Sequence, residues 1–107
     1  MKKLSVIIPV FNEENTLNAI LDRVLAVDLS DLGFTMELIV VDDASSDGSW
    51  AILQERQSDF ASLHQHPVNK GKGAAIRTAL AHVTGHYVIV QDADLEYDPD
   101  EYVNLLT

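Results

Sequence analysis

Four runs of apolar residues recur along this chain, separated by longer amphipathic segments. The runs at residues 4–10, 36–41 and 86–91 are rich in β-branched side chains, and a weaker run lies at 62–66. Runs of this length and composition predict β-strands. The first, second and fourth runs are apolar almost throughout instead of alternating. This pattern predicts strands that are covered on both faces, as in a parallel sheet.

The segments between the predicted strands have apolar residues at helical spacing. The predicted helices follow residue 15, run from about 47 to 58, cover 74–83 and begin at Pro99. Asn12 or Asn15 is expected to cap the first helix, and Ser46 or Asp47 the second. The alternating order of strands and helices predicts an α/β fold in which right-handed crossovers place helices on both faces of a mostly parallel sheet.

Size and charge narrow the functional classes. The 107 residues make one domain, and no apolar run is long enough to span a bilayer. The formal net charge of −10 argues against a nucleic-acid partner, which requires a basic surface. No cysteine is present, which excludes disulfides and thiolate metal sites and leads us to expect a location inside the cell.

Acidic and amide residues follow three of the predicted strands directly. They are Asn12 and Glu13 after the first strand, Asp42 and Asp43 after the second, and Asp92 and Asp94 after the fourth. Ligands of open parallel sheets bind beyond the carboxyl ends of the strands, where these residues should meet. A single aspartate in such a place is also a common turn former or helix cap, and for Asp42 or Asp47 alone both interpretations stay open.

The segment after the fourth strand has the strongest acidic pattern. Asp92, Asp94 and Glu96 alternate along an extended stretch, so their side chains should point the same way and converge on one hard cation. Oxygen ligands without His or Cys favour Mg²⁺ or Mn²⁺. The later acids Asp98, Asp100 and Glu101 are expected to complement the N-terminus of the last helix.

A glycine- and lysine-containing loop precedes the third helix. In the stretch Lys70-Gly71-Lys72-Gly73, glycines would let backbone amides approach an anion and the lysines would add charge. The spacing is not that of a P-loop, so phosphate binding and simple loop flexibility both remain open.

Other conspicuous residues predict no function. His64, His66, His82 and His86 are not expected to share the acidic edge of the sheet, and they are interpreted as ordinary surface or strand residues. Trp50 and Tyr87 are interpreted as core residues.

Four motifs together resemble the family 2 glycosyltransferases of GT-A fold, and among them the polyprenyl-phosphate (dolichol-phosphate mannose synthase-like) branch. The motifs are "VIIPVFNEENTL", "ELIVVDDASSDGS", "NKGKGAAIRTALAHVTG" and "VIVQDADLEYDP". The resemblance covers nearly the whole chain. It implies the Rossmann-like, nucleotide-sugar-binding half of a GT-A domain, with strand order 3-2-1-4. The chain ends just after the last motif, so we expect it to be the donor-binding part of a longer or truncated protein.

The resemblance also implies residue roles. The nucleotide-binding set would comprise Pro9, Val10, Asn12, Glu13, Asp42, Asp43, Lys72 and Arg77. Within that set Asp43 matches the base-reading aspartate. Asp92 and Asp94 match the DxD motif, which places them as catalytic residues and metal ligands. Glu96 stands where this branch often has a metal-binding Gln, and it completes the predicted ligand set.

The implied reaction is transfer of a sugar from a UDP- or GDP-linked donor to an acceptor, with Mg²⁺ or Mn²⁺ assistance. The branch suggests a polyprenyl phosphate as the acceptor, a role in cell-wall or glycolipid synthesis, and a cytoplasmic location at the face of the membrane. Because the sheet would lack its further edge strands, we also expect an exposed edge through which the chain could self-associate.

Four other classes of protein share parts of this pattern. A phosphorelay receiver domain also has an acidic pair after a strand, but the pair should end the first strand, and here it ends the second. A receiver also requires a later Lys, and none follows Asp92. A nucleotidyltransferase or a dinucleotide-binding domain would have a glycine-rich loop after the first strand. A nucleotide-binding module without transferase activity remains open.

Overall fold

The computed structural model describes residues 1–94 and 98–106 and has the predicted order of strands and helices. The strands are β1 (Lys2–Val10), β2 (Phe34–Asp42), β3 (Ser62–Gln65) and β4 (Tyr87–Val90), and the α-helices are α1 (Leu17–Leu25), α2 (Ser49–Glu55), α3 (Lys72–Leu80) and α4 (Tyr102–Leu106). Short 3₁₀ turns lie at Ser30–Leu32, Gln57–Asp59 and Pro99–Glu101. Within the described ranges, each helix is too short or too polar to cross a lipid bilayer.

The four strands form one parallel sheet in the order β3-β2-β1-β4, which confirms the predicted order. β1 pairs with β2 along its whole length, from Lys2 opposite Phe34 to Val10 opposite Asp42. The two longest strands therefore end level with each other. The backbone N–H of Asp43 then donates to the carbonyl oxygen of Val10 at 2.8 Å, so the loops that follow both strands start side by side.

Side-chain alternation along β1 divides the interior into two parts. Leu4, Val6, Ile8 and Val10 point into the larger cluster, which includes α1 and the buried Tyr102 of α4. Ile7 points to the other face, where the small side chains of α3 allow that helix to lie close to the sheet. Each fully buried aliphatic side chain stabilises the fold by about 1.5–3 kcal/mol. The buried side chains of β1 therefore fix the position of this strand in the sheet and, with it, the place where its C-terminal end meets the end of β2.

The first two helices start later than the predicted caps imply. Helix α1 is preceded by Thr16, not capped by Asn12 or Asn15, and the Thr16 hydroxyl donates to the carbonyl oxygen of Ala93 at 2.7 Å. Helix α2 begins at Ser49, whose backbone N–H donates to Asp47 at 2.9 Å. These contacts link the helix N-termini to the loops at the carboxyl edge of the sheet.

The prediction that the fourth strand is covered on both faces is wrong for the described residues. β4 is the edge strand, and Tyr87, Val88 and Val90 are 47%, 42% and 37% exposed. Tyr87 is therefore not a core residue, although its ring makes an edge-on contact with Phe34 at 5.5 Å between ring centroids. An apolar run shows that a strand prefers cover, but among the described residues β4 has a neighbouring strand on one side only, and its Ile89 packs against the larger cluster.

Candidate functional site

A cleft of about 380 Å³ opens at the carboxyl edge of the sheet. Its walls come from the loops after β1 and β2, the start of α3 and the segment after β4. The lining residues that the sequence analysis singled out are Pro9, Val10, Glu13, Asp43, Lys72, Asp92 and Asp94. The strand order explains this convergence, because the central strands β1 and β2 and the neighbouring β4 deliver their loops to one place.

Asp43 is the most firmly held of these residues. It is 3% exposed. One carboxylate oxygen, Oδ1, accepts from His66 Nδ1 at 2.8 Å and from the backbone N–H of Lys70 at 2.9 Å. The other, Oδ2, accepts from the backbone N–H of Gly71 at 2.8 Å. Asp43 therefore connects the end of β2 to the loop that precedes α3.

These hydrogen bonds decide the charge state of Asp43. Burial alone would raise the pKa of the carboxyl group, but the donors from His66, Lys70 and Gly71 outweigh that effect and hold the pKa below its ordinary value. Asp43 is thus a buried carboxylate that is ionised at neutral pH. An ionised carboxylate accepts hydrogen bonds and donates none.

Three predicted nucleotide-binding residues lie outside the cleft lining: Asn12, Asp42 and Arg77. Asn12 has a positive φ of 52°, and its Oδ1 accepts from the backbone N–H of Ser46 at 2.8 Å. Asp42 is fully buried and accepts from the Ser45 hydroxyl at 2.6 Å. In this structure both residues fix the loops that form the wall, and direct contact with a ligand stays a prediction.

Lys72 and Asp92 form an ion pair within the cleft. Lys72 is the first residue of α3, and Asp92 lies two residues after β4, so the pair joins two walls of the site. Both side chains are solvent-accessible, with 57% of Lys72 and 35% of Asp92 exposed. An exposed pair of this kind contributes about 0–1 kcal/mol to folding, so it is easily exchanged for contacts to a ligand.

The acidic segment itself is fixed from the protein interior. The Tyr102 hydroxyl donates to Gln91 Oε1 at 2.6 Å, and both side chains are fully buried. Gln91 Nε2 in turn donates to the carbonyl oxygen of Asp92 at 3.2 Å. Together with the contact of Thr16 to Ala93, these bonds hold the backbone while the carboxylates of Asp92 and Asp94 remain at the cleft.

The donor set fits a hard divalent cation. Asp92 and Asp94 offer oxygen ligands at a solvent-accessible cleft, and the Lys72 ammonium already lies against Asp92. In the described part of the chain, no three acidic, His or Cys side chains form a ready metal cage. The predicted third ligand, Glu96, lies outside the described residues. Two carboxylates that leave other coordination positions open suit a cation shared with the oxygens of a ligand.

His66 was missed by the sequence analysis. The expectation that no histidine shares the acidic edge is wrong, since His66 is 7% exposed and contacts Asp43. Its Nε2 also lies 2.7 Å from the Thr78 hydroxyl on α3. The signal was its position directly after β3, which the strand order places beside the end of β2.

Comparison with known proteins identifies the family. The sequence model described as "Glycosyl transferase family 2" matches residues 5–107. An undecaprenyl-phosphate 4-deoxy-4-formamido-L-arabinose transferase of Salmonella paratyphi A is 37% identical over 110 residues, which is 99% of this chain and 33% of that protein. The chain thus spans about a third of the length of the curated relatives that it matches.

Solved structures show the same fold. The mannosyltransferase PcManGT from Pyrobaculum calidifontis, in complex with GDP-Man and Mn²⁺, has a TM-score of 0.76 and 30% identity over 95% of this chain and 30% of its own. S. aureus TarS 1-349, in complex with UDP-GlcNAc, has a TM-score of 0.76 and 26% identity over 95% of this chain and 29% of its own. The predicted GT-A fold is confirmed, and the chain belongs to glycosyl transferase family 2.

Proposed function

We propose that this member of glycosyl transferase family 2 forms the donor-binding part of an enzyme that transfers a sugar from a nucleoside-diphosphate sugar to an acceptor. The observation that carries the proposal is the convergence of Asp43, Lys72, Asp92 and Asp94 on one cleft at the carboxyl edge of the sheet. These residues provide a buried acceptor, a cation and paired carboxylates. The nucleobase of a donor needs a hydrogen-bond acceptor, its diphosphate needs a positive charge, and a metal ion needs carboxylate ligands.

The nucleoside part of the donor would lie along the walls formed by β1 and β2. Pro9 and Val10 offer apolar contact, and Glu13 offers a carboxylate for ribose or base. Two carboxylate oxygens have about four acceptor positions, of which Asp43 uses three within the chain. The remaining position suits an N–H of a uracil or guanine ring. PcManGT binds GDP-Man and TarS binds UDP-GlcNAc, so either nucleotide suits this fold.

The diphosphate would lie between Lys72 and the acidic segment. Asp92 and Asp94 would hold Mg²⁺ or Mn²⁺, with Glu96 as the proposed third ligand, and PcManGT was crystallised with Mn²⁺. When bound, the ion neutralises charge on the departing diphosphate. Lys72 leaves Asp92 and turns its ammonium to the diphosphate oxygens. The hydrogen bonds that join Gln91 to Tyr102 and to the backbone of Asp92 keep the acidic segment in place while Lys72 moves.

The acceptor is proposed to be a polyprenyl phosphate, because the Salmonella relative is an undecaprenyl-phosphate sugar transferase. A phosphate acceptor is already an anion, so the reaction would need no carboxylate base. The acceptor site would come from the rest of a longer protein that acts at a membrane face in cell-wall or glycolipid synthesis. Tyr87 and Val88 on the edge strand β4 offer apolar surface, and in the isolated chain we expect that edge to favour self-association.

Calorimetric titration tests this proposal. UDP and GDP are titrated into the wild-type chain with and without Mn²⁺, and one of them should bind only with the metal. Asp94→Ala should abolish the metal-dependent binding. Asp22→Ala is the matched control, because Asp22 is an exposed acid that pairs with Arg56 outside the cleft and its loss should leave binding unchanged. Equal binding by the wild type and Asp94→Ala would overturn the proposal.

A further inference from the structure

We propose that His66 is a positioning residue for nucleotide binding, because it orients the Asp43 carboxylate and through it the loop from Asn69 to Lys72. This inference rests on the proposed function, since it concerns the same cleft. His66 does not line the cleft, so it would act through Asp43 and not by touching the nucleotide. None of the donor-binding roles proposed above belongs to His66.

The contacts of His66 join three elements. The ring lies just beyond β3 and is almost fully buried. Its Nδ1 bonds to Asp43 just after β2, and its Nε2 bonds to Thr78 in the last turn of α3. The backbone N–H of His66 donates to the carbonyl oxygen of Asp42 at 2.9 Å, which holds the backbone in place where the chain leaves β3. Both ring nitrogens are therefore used, and the plane of the ring is set.

The direction of the hydrogen bonds follows from the charge of Asp43. Since that carboxylate is ionised, it accepts, and Nδ1 of His66 must carry the proton that it donates. In the neutral ring Nε2 is then an acceptor, and the Thr78 hydroxyl donates to it. A hydroxyl can donate or accept, so Thr78 accommodates the tautomer that Asp43 selects. This is the arrangement by which a second hydrogen bond commonly fixes the role of a histidine nitrogen.

The oriented carboxylate in turn holds the loop before α3. The backbone N–H groups of Lys70 and Gly71 both donate to Asp43, and Gly71 has a positive φ of 94°. Asn69, Gly71 and Lys72 line the cleft. Without the His66 donor, the Asp43 carboxylate is free to rotate about its Cβ–Cγ bond and release the N–H groups of Lys70 and Gly71. The loop would then have to be ordered again by the nucleotide, which lowers affinity.

Two polar substitutions separate the two ring nitrogens. In His66→Asn, the side-chain amide reaches the Nδ1 position and can still donate to Asp43. In His66→Gln, the amide reaches the Nε2 position toward Thr78 and leaves the Nδ1 position empty. His86→Asn is the matched control, because His86 is exposed and its Nδ1 accepts from Lys3 at the opposite edge of the sheet. Each variant is titrated with UDP and GDP in the presence of Mn²⁺, and amide hydrogen exchange is measured at Lys70 and Gly71.

The proposal expects His66→Asn and His86→Asn to bind nucleotide within about threefold of wild type. His66→Gln should bind roughly tenfold or more weakly, which is the loss expected for one hydrogen bond to a charged group. Lys70 and Gly71 should exchange faster in His66→Gln only. Equal affinity and exchange in the two His66 variants, whether both match the wild type or both are weakened, would overturn it. If the wild type binds no nucleotide, the proposed function fails, and the exchange rates still decide whether His66 holds the loop.

Discussion

Asp43→Asn is the substitution that most directly tests how the loop before α3 is held. The two side chains have nearly the same shape, so packing is conserved. The amide oxygen can still accept from His66 and Lys70, but the NH₂ group then faces the backbone N–H of Gly71, and a donor meets a donor. If the amide is turned the other way, its NH₂ group faces two donors, His66 Nδ1–H and the N–H of Lys70, which is worse. Substitution therefore loses one hydrogen bond outright and the charge assistance of the other two.

The expected cost follows from these contacts. A hydrogen bond to a charged group contributes about 1.5–3 kcal/mol, and the remaining two weaken when the charge is removed. Asp43→Asn should therefore lower the free energy of unfolding by about 2–4 kcal/mol at pH 7. Domains of this size are stable by about 5–15 kcal/mol, so the variant should still fold.

Acid should abolish the difference between the two proteins. The pKa of Asp43 in the folded state lies below its ordinary value of 3.8, so its contribution is fully present above that value and is lost as the pH falls through the folded pKa. Urea unfolding of wild type and variant is compared at pH 7 and at successively lower pH. Asp31→Asn, at an exposed aspartate in a turn, is the control and should change stability by less than about 0.5 kcal/mol. Equal stability of Asp43→Asn and wild type at pH 7, or a gap that widens in acid, would refute this reasoning.

Two further predictions concern the fold around the site. Gly85→Ala should destabilise the chain by about 1–3 kcal/mol in urea unfolding, because its new Cβ would lie 2.9 Å from both Lys3 O and Ser5 N, and an unchanged midpoint would contradict this. Burial, followed by the charge of His82, lowers the pKa of His64 below 6.5, and the two rings stack with 3.9 Å between their centroids. The unfolded state therefore binds more protons, and stability should fall as the pH drops below about 6.5. The loss of stability in acid should be smaller in His64→Phe. Plots of unfolding free energy against pH that run parallel for wild type and His64→Phe would contradict this prediction.

Much of the fold was predictable because the central strands follow a simple rule. β1 and β2 are apolar over most of their length and buried in their second halves, and their predicted limits lie close to those observed. The position of Asp43, Asp92 and Asp94 after parallel strands was enough to predict that they meet. Local pattern did not predict the exposure of β4, since the sequence of a strand does not say what lies beside it.

The missed features depend on contacts between distant residues. Thr16 stands at the N-cap position of α1 without a side-chain cap hydrogen bond, and its hydroxyl donates to Ala93 instead. His66 became meaningful only when β3 was placed beside β2, with Thr78 above them on α3. In both cases the side chain serves a hydrogen bond across more than ten residues of sequence, and no periodicity in a single segment reports such a bond.

A crystal of this chain soaked with Mn²⁺ and UDP or GDP would show whether the cleft is the donor site. We expect Mn²⁺ bound by the carboxylates of Asp92 and Asp94, with the diphosphate beside Lys72 and the nucleobase within hydrogen-bonding distance of Asp43. Metal and nucleotide bound at another surface, with this cleft left empty, would contradict the proposed function.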